Sequence, residues 1–116
     1  MTRARLAVMS GLIGVAALGI EAYAQQDGAL VELHERRREG RKVCMSEHTH
    51  SGSSTGQPNR KAAEVAAIRD WAGFTAWEYG DHWGNFNIAG SKRMSCTQGS
   101  GGWGCDIEAR PCKPAR

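Results

Sequence analysis

Within its 116 residues the chain has no Cys-x-x-Cys pair, no glycine-rich phosphate loop, no nucleophile elbow and no paired-carboxylate motif. Those absences remove the common routes to thiol redox chemistry, nucleotide chemistry and acyl transfer. A strong charge of either sign is also missing. Fifteen Lys and Arg against twelve Asp and Glu give +3, too small a surplus to point to a nucleic-acid partner. The one long apolar run, Leu6 to Ile20, has 15 residues and reaches about 22 Å as a helix, short of the roughly 30 Å hydrocarbon core. No stable membrane anchor is expected from it.

What that run does match is an export signal. Arg3 and Arg5 precede it, and Ala22-Tyr23-Ala24 follows with small residues where signal peptidase reads them, so residues 1–24 read as a signal peptide cleaved before Gln25. No cysteine follows the run and the two arginines are not adjacent, which argues against a lipoprotein or a twin-arginine signal. The remaining 92 residues carry 13 basic and 11 acidic side chains. A chain so short buries a marginal core on its own. Four cysteines, an even number, fit a disulfide-stapled domain in the periplasm or outside the cell.

Residues 25–58 read as a polar, partly helical arm followed by a flexible linker. The arm has few apolar groups (Leu30, Val31, Leu33, Val43) and pairs Glu32 with Arg36 at helical spacing; its cationic sector, Arg37, Arg38, Arg41 and Lys42, suggests contact with anionic envelope polymers. The linker, rich in Ser, Gly and Thr, holds no large apolar side chain. Residues 59–116 form the expected α+β domain. Asn59 caps a helix whose apolar positions Ala62, Val65, Ile68 and Ala72 end near Gly73. Phe74 to Tyr79 then predicts a strand, and Trp83, Phe86 and Ala89 predict short helical turns. A β-hairpin with Ser100 and Gly101 at its tip completes a three-stranded antiparallel sheet under the helix, since this register gathers Met94, Cys96, Trp103, Cys105, Ile107 and Ala109 on one face.

The register sets Cys96 opposite Cys105, which favours that bond and leaves Cys44 with Cys112; Cys96–Cys112 with Cys44–Cys105 is the rival pairing. Intervening lengths of 51, 8 and 6 residues between successive cysteines do not suit a cysteine-based zinc site. His48 and His50 form a His-x-His pair that points one way in extended chain, and with His34, His82 or Glu47 it supplies three ligands for zinc or copper. A solvated linker is the plainer account of the pair. Seven of eight aromatics fall between Trp71 and Trp103. Most belong in the core, but an uncovered row of Trp77 and Tyr79, with Trp83 nearby, offers a platform for a sugar or partner side chain. Glu78, Asp81 and His82 read as a surface turn.

The stretch Ile68-Arg69-Asp70-Trp71, Tyr79-Gly80 with Trp83, Cys96, Trp103-Gly104-Cys105 and Ala109-Arg110-Pro111-Cys112 resembles a pattern found in small exported bacterial proteins of uncharacterised activity. It spans under half of the chain. The resemblance implies an exported, disulfide-bearing domain and adds no mechanism. The functional expectation is therefore a non-catalytic exported module, without cofactor, that binds an anionic or glycan envelope component through its aromatics. A periplasmic zinc or copper protein using His48 and His50 is the alternative, and an enzyme of unrecognised type the third.

Overall fold

The computed structural model describes residues 28–116; the export-signal reading of residues 1–24 lies outside them. Among these described residues, six strands and one α-helix follow in the order β1 (Arg36–Glu39), β2 (Lys42–Met45), β3 (His50–Ser53), α1 (Arg60–Tyr79), β4 (Gly90–Gly99), β5 (Gly102–Arg110) and β6 (Cys112–Pro114), with short 3-10 turns at Ala29–Leu33, Asp81–Trp83 and Phe86–Ile88. The class is α+β, as the sequence suggests, but with two three-stranded antiparallel sheets rather than one. Their strand orders are β1-β2-β6 and β3-β5-β4.

The helix begins where Asn59 accepts a hydrogen bond from the Ala62 backbone N–H, and it runs for 20 residues, through Gly73, to a stop at Gly80 with φ 107°. Phe74 to Tyr79 is thus helical and not a strand. Ala63, Ala67, Trp71, Thr75 and Tyr79 are the buried positions. Steps of four keep them on one stripe, and burying that stripe outweighs both the β preference of the aromatic segment and the roughly 1 kcal/mol that Gly73 costs inside a helix. The expected apolar positions Ala62, Val65, Ile68 and Ala72 lie beside this stripe and are half-buried.

The third strand of the hairpin sheet comes instead from the segment read as a linker. β3 pairs with β5 from His50 opposite Ala109 to Ser53 opposite Asp106. The expected arm is structured as well: β1 and β2 form a hairpin around Gly40, whose φ of 65° stands at the first central position, where type II′ turns place glycine. Arg37 and Arg38 therefore point to opposite faces of β1, with Arg41 in the turn and Lys42 on β2, rather than gathering on a helical sector. The Glu32–Arg36 pair is present at 3.3 Å. In the C-terminal hairpin Gln98 opposes Trp103, Cys96 opposes Cys105 and Met94 opposes Ile107, with a slip only between Gly90 and Arg93.

Both disulfides follow the favoured pairing, Cys44–Cys112 across β2 and β6 and Cys96–Cys105 across β4 and β5. The main core lies between α1 and β5, where Ala63, Ala67, Trp71, Cys105, Ile107 and Ala109 are buried. A second, smaller core gathers Val31, Met45, Tyr79 and Trp83 between the 3-10 turns, β2 and the end of α1. Between the two sheets, Arg110 of β5 donates to both carboxylate oxygens of Glu39 on β1 and to the Met45 carbonyl of β2.

Candidate metal centre

Three chain segments deliver polar side chains to the border of the second core. His48 lies in the loop between β2 and β3, His50 opens β3, and Thr75, Glu78 and Tyr79 stand on the last turn of α1. Extended backbone from His48 to His50 sends both rings to the same side, and the helical phase that buries Thr75 and Tyr79 brings Glu78 up against them. One ligand atom each from His48, His50 and Glu78 lies within 4.8 Å of the others.

His50 is only 3% exposed. Its Nδ1 is 2.8 Å from the Thr75 hydroxyl, and its Nε2 is 2.9 Å from a Glu78 carboxylate oxygen. That second contact runs off the line a hydrogen bond needs, so the buried Nε2 has no hydrogen-bond partner. Burial pushes the His50 pKa below its ordinary value, against the opposing pull of the Glu78 charge. The His48 pKa is lowered as well, by burial and then by the neighbouring His34. Neutral imidazoles keep the lone pair that a metal takes.

Around this group the hydrogen bonds act as an outer shell. His34 follows the first 3-10 turn, and its Nδ1 lies 2.9 Å from the Leu30 carbonyl, an acceptor only, so Nδ1 carries the proton. The Tyr79 hydroxyl lies 3.4 Å from His34 Nε2. Burial first, and the Glu78 carboxylate second, raise the Tyr79 pKa, so the phenol keeps its proton. Ring centroids of His34 and His48 are 4.4 Å apart, those of His48 and His50 5.0 Å, and the His50 ring stacks on Tyr79 at 4.9 Å.

Two imidazoles and a carboxylate within mutual reach suit a borderline divalent ion such as Zn²⁺ or Cu²⁺. Glu78 adds a further electrostatic argument. It sits in the last turn of α1, where no basic residue accompanies it and where the helix dipole already presents negative charge. The local field asks for a cation.

His50 is thus held by a strand and a helix, and His48 sits half-buried in the loop leading into that strand, instead of the pair lying in a solvated linker. Glu78, read from the sequence as part of a surface turn, is the third ligand candidate; its signal was the four-residue stripe through Thr75 and Tyr79, which fixes the phase of the helix end. Glu47 and His82 are exposed, and neither they nor His34 belong to the ligand atoms gathered within 4.8 Å. The aromatic platform dissolves, because Tyr79 and Trp83 are 0% exposed and pack in the second core while Trp77 is 79% exposed on the helix. A helix turns by 100° per residue, so Trp77 and Tyr79 cannot share the face a strand would have given them. Compared with protein-family models, curated proteins and solved structures, the chain matches none.

Proposed function

We propose that this is an exported, disulfide-stapled protein that binds one Zn²⁺ or Cu²⁺ ion through His48, His50 and Glu78. One observation carries the reading: a fully enclosed imidazole nitrogen without a hydrogen-bond partner faces a carboxylate oxygen at 2.9 Å. With the His50 proton on Nδ1 toward Thr75, the Nε2 lone pair opposes an anion at a nearly enclosed site, which is unfavourable. A cation drawn between the two converts that repulsion into two bonds. Its role is binding, and no step of bond chemistry is assigned to it. Two disulfides support a working place in an oxidising compartment, where thiol ligands would not persist and imidazole and carboxylate serve instead.

Calorimetric titration of the disulfide-bonded protein with Zn²⁺ and with Cu²⁺ tests the reading. The expected result is one ion per chain with a Kd below about 1 μM. His48→Ala with His50→Ala, and separately Glu78→Gln, should abolish or severely weaken binding while circular dichroism shows the fold retained. An absence of heat and of bound metal in the wild-type protein after dialysis would return the site to a purely structural polar cluster.

A further inference from the structure

We infer that His34 is the third imidazole ligand of this centre, and that the ion thereby pins the segment from Gly28 to His34 against the end of α1; the inference rests on the metal-binding reading above. Three observations point to it. The Leu30 carbonyl fixes the His34 tautomer, leaving the lone pair on Nε2. That nitrogen's contact is the hydroxyl of Tyr79, whose ring stacks on His50, and the His34 ring centroid lies 4.4 Å from that of His48. At 3.4 Å the contact is long for an O–H···N bond, so a stronger acceptor of the lone pair displaces it at little expense.

The arrangement on His34 repeats the one on His50. In both rings Nδ1 is engaged by an oxygen, the Leu30 carbonyl in one and the Thr75 hydroxyl in the other, which leaves Nε2 as the nitrogen for an ion. Metal-bound histidines are held in this manner, with the second ring nitrogen donating to an outer partner. His34 stands outside the atoms gathered within 4.8 Å, but its ring centroid is 4.4 Å from that of His48, so the ring completes the shell by closing on the ion as it binds. Chain connectivity suits a clamp: the Gly28 N–H donates to the Tyr79 carbonyl at 2.8 Å, so the segment that carries His34 already begins on the last residue of the helix.

Three imidazoles and one carboxylate fill a tetrahedral ion with protein ligands, and a filled shell holds an ion without presenting it to a substrate. A site of His48, His50 and Glu78 alone would leave a position open to water. The two differ in a count of nitrogens.

The test is electron paramagnetic resonance of the Cu²⁺-loaded protein, with pulsed detection of imidazole nitrogens, on the wild type and on His34→Gln, beside Zn²⁺ affinities by competition with a chelating dye. Three imidazoles in the wild type and two in His34→Gln are expected. The Zn²⁺ affinity should fall more than about 100-fold, beyond the roughly 10–100-fold that losing an outer-shell partner costs. A wild-type count of two overturns the assignment, and it does so without appeal to any variant, while leaving His48, His50 and Glu78 as the site. Failure of the wild type to bind either ion removes both this inference and the reading beneath it.

Discussion

Glu39 and Arg110 lie 71 positions apart in sequence and meet through two hydrogen bonds of 2.7 and 2.8 Å. The guanidinium, with an 11% exposed side chain, also donates to the Met45 carbonyl and to Ser91, so its charge is nearly enclosed and depends on the carboxylate. The Arg110 hydrogen bonds hold the Glu39 pKa at about 2, down from 4.5, against the cost of burial and with help from Arg37. Because the folded value is the lower one, the pair stabilises fully above 4.5, and that contribution drains away as pH falls toward 2, where the native carboxylate finally takes its proton. Glu39→Gln should lower stability at neutral pH by about 2 kcal/mol, between an exposed ion pair and a buried one. Urea unfolding across that acid range should then show a flatter decline for the variant than for the wild type. Parallel declines would mean that solvent already screens the pair. Sequence offered no hint of this contact, since Arg110 alternates into the water-facing set of the hairpin; only the arrival of a second sheet makes its inward turn possible.

Among the elements, β3 shows how composition misleads. His-Ser-Gly-Ser has the residues of a loose linker, yet the small residues are there because α1 lies directly on the strand. A Cβ built on Gly52 would stand 2.5 Å from the Ala67 carbonyl oxygen and 2.7 Å from the Trp71 Cβ. Backbone cannot yield there as a flexible side chain can. Gly52→Ala is therefore expected to force the helix off the sheet and destabilise by about 3 kcal/mol, at the upper end of overpacking effects. Thermal melting would register this as a fall of more than 10 °C, at roughly 4–8 °C per kcal/mol for a domain of this size. Loss of metal affinity should accompany it, because His50 and Glu78 sit on the two surfaces pushed apart. Elements held by local chemistry were legible: the Asn59 cap, and the hairpin whose alternation and Gly-rich tip agree on one register. β1, β2 and β3 were not, since each is four residues long and acquires its strand character from partners far along the chain. The end of α1 was misread for a related reason: β-favouring residues from Phe74 to Tyr79 hid the period-four stripe that decides it. With the helix phase lost, Glu78 was lost to the candidate site, although the His-x-His pair itself could be read directly.

At the scale of the whole molecule, the two sheets and the helix of the described residues share little apolar material, and the covalent links divide the task unequally. Cys96–Cys105 closes a short hairpin, with a sequence separation of 9, and Cys44–Cys112 joins residues 68 apart. By loop-closure entropy the first stabilises by about 3 kcal/mol and the second by about 4. Their structural consequences differ more than those figures. Cys96 and Cys105 face each other in a register also held by β4–β5 pairing on either side. Cys44 instead fixes β2, whose Met45 belongs to the four-residue second core, and His48 follows only four positions later. Replacing Cys44 and Cys112 together by Ala should thus lower both the melting temperature and the affinity for Zn²⁺, since the loop that carries His48 loses its anchor. Replacing Cys96 and Cys105 should lower the melting temperature and leave the ion affinity within about threefold, the distance between that bond and the ligand set making the two sites additive. Paired melting and chelator-competition measurements on the two double variants decide the matter. Equal losses of affinity from both would mean that the centre is formed by global stability alone and not by the local hold of β2 on its histidine.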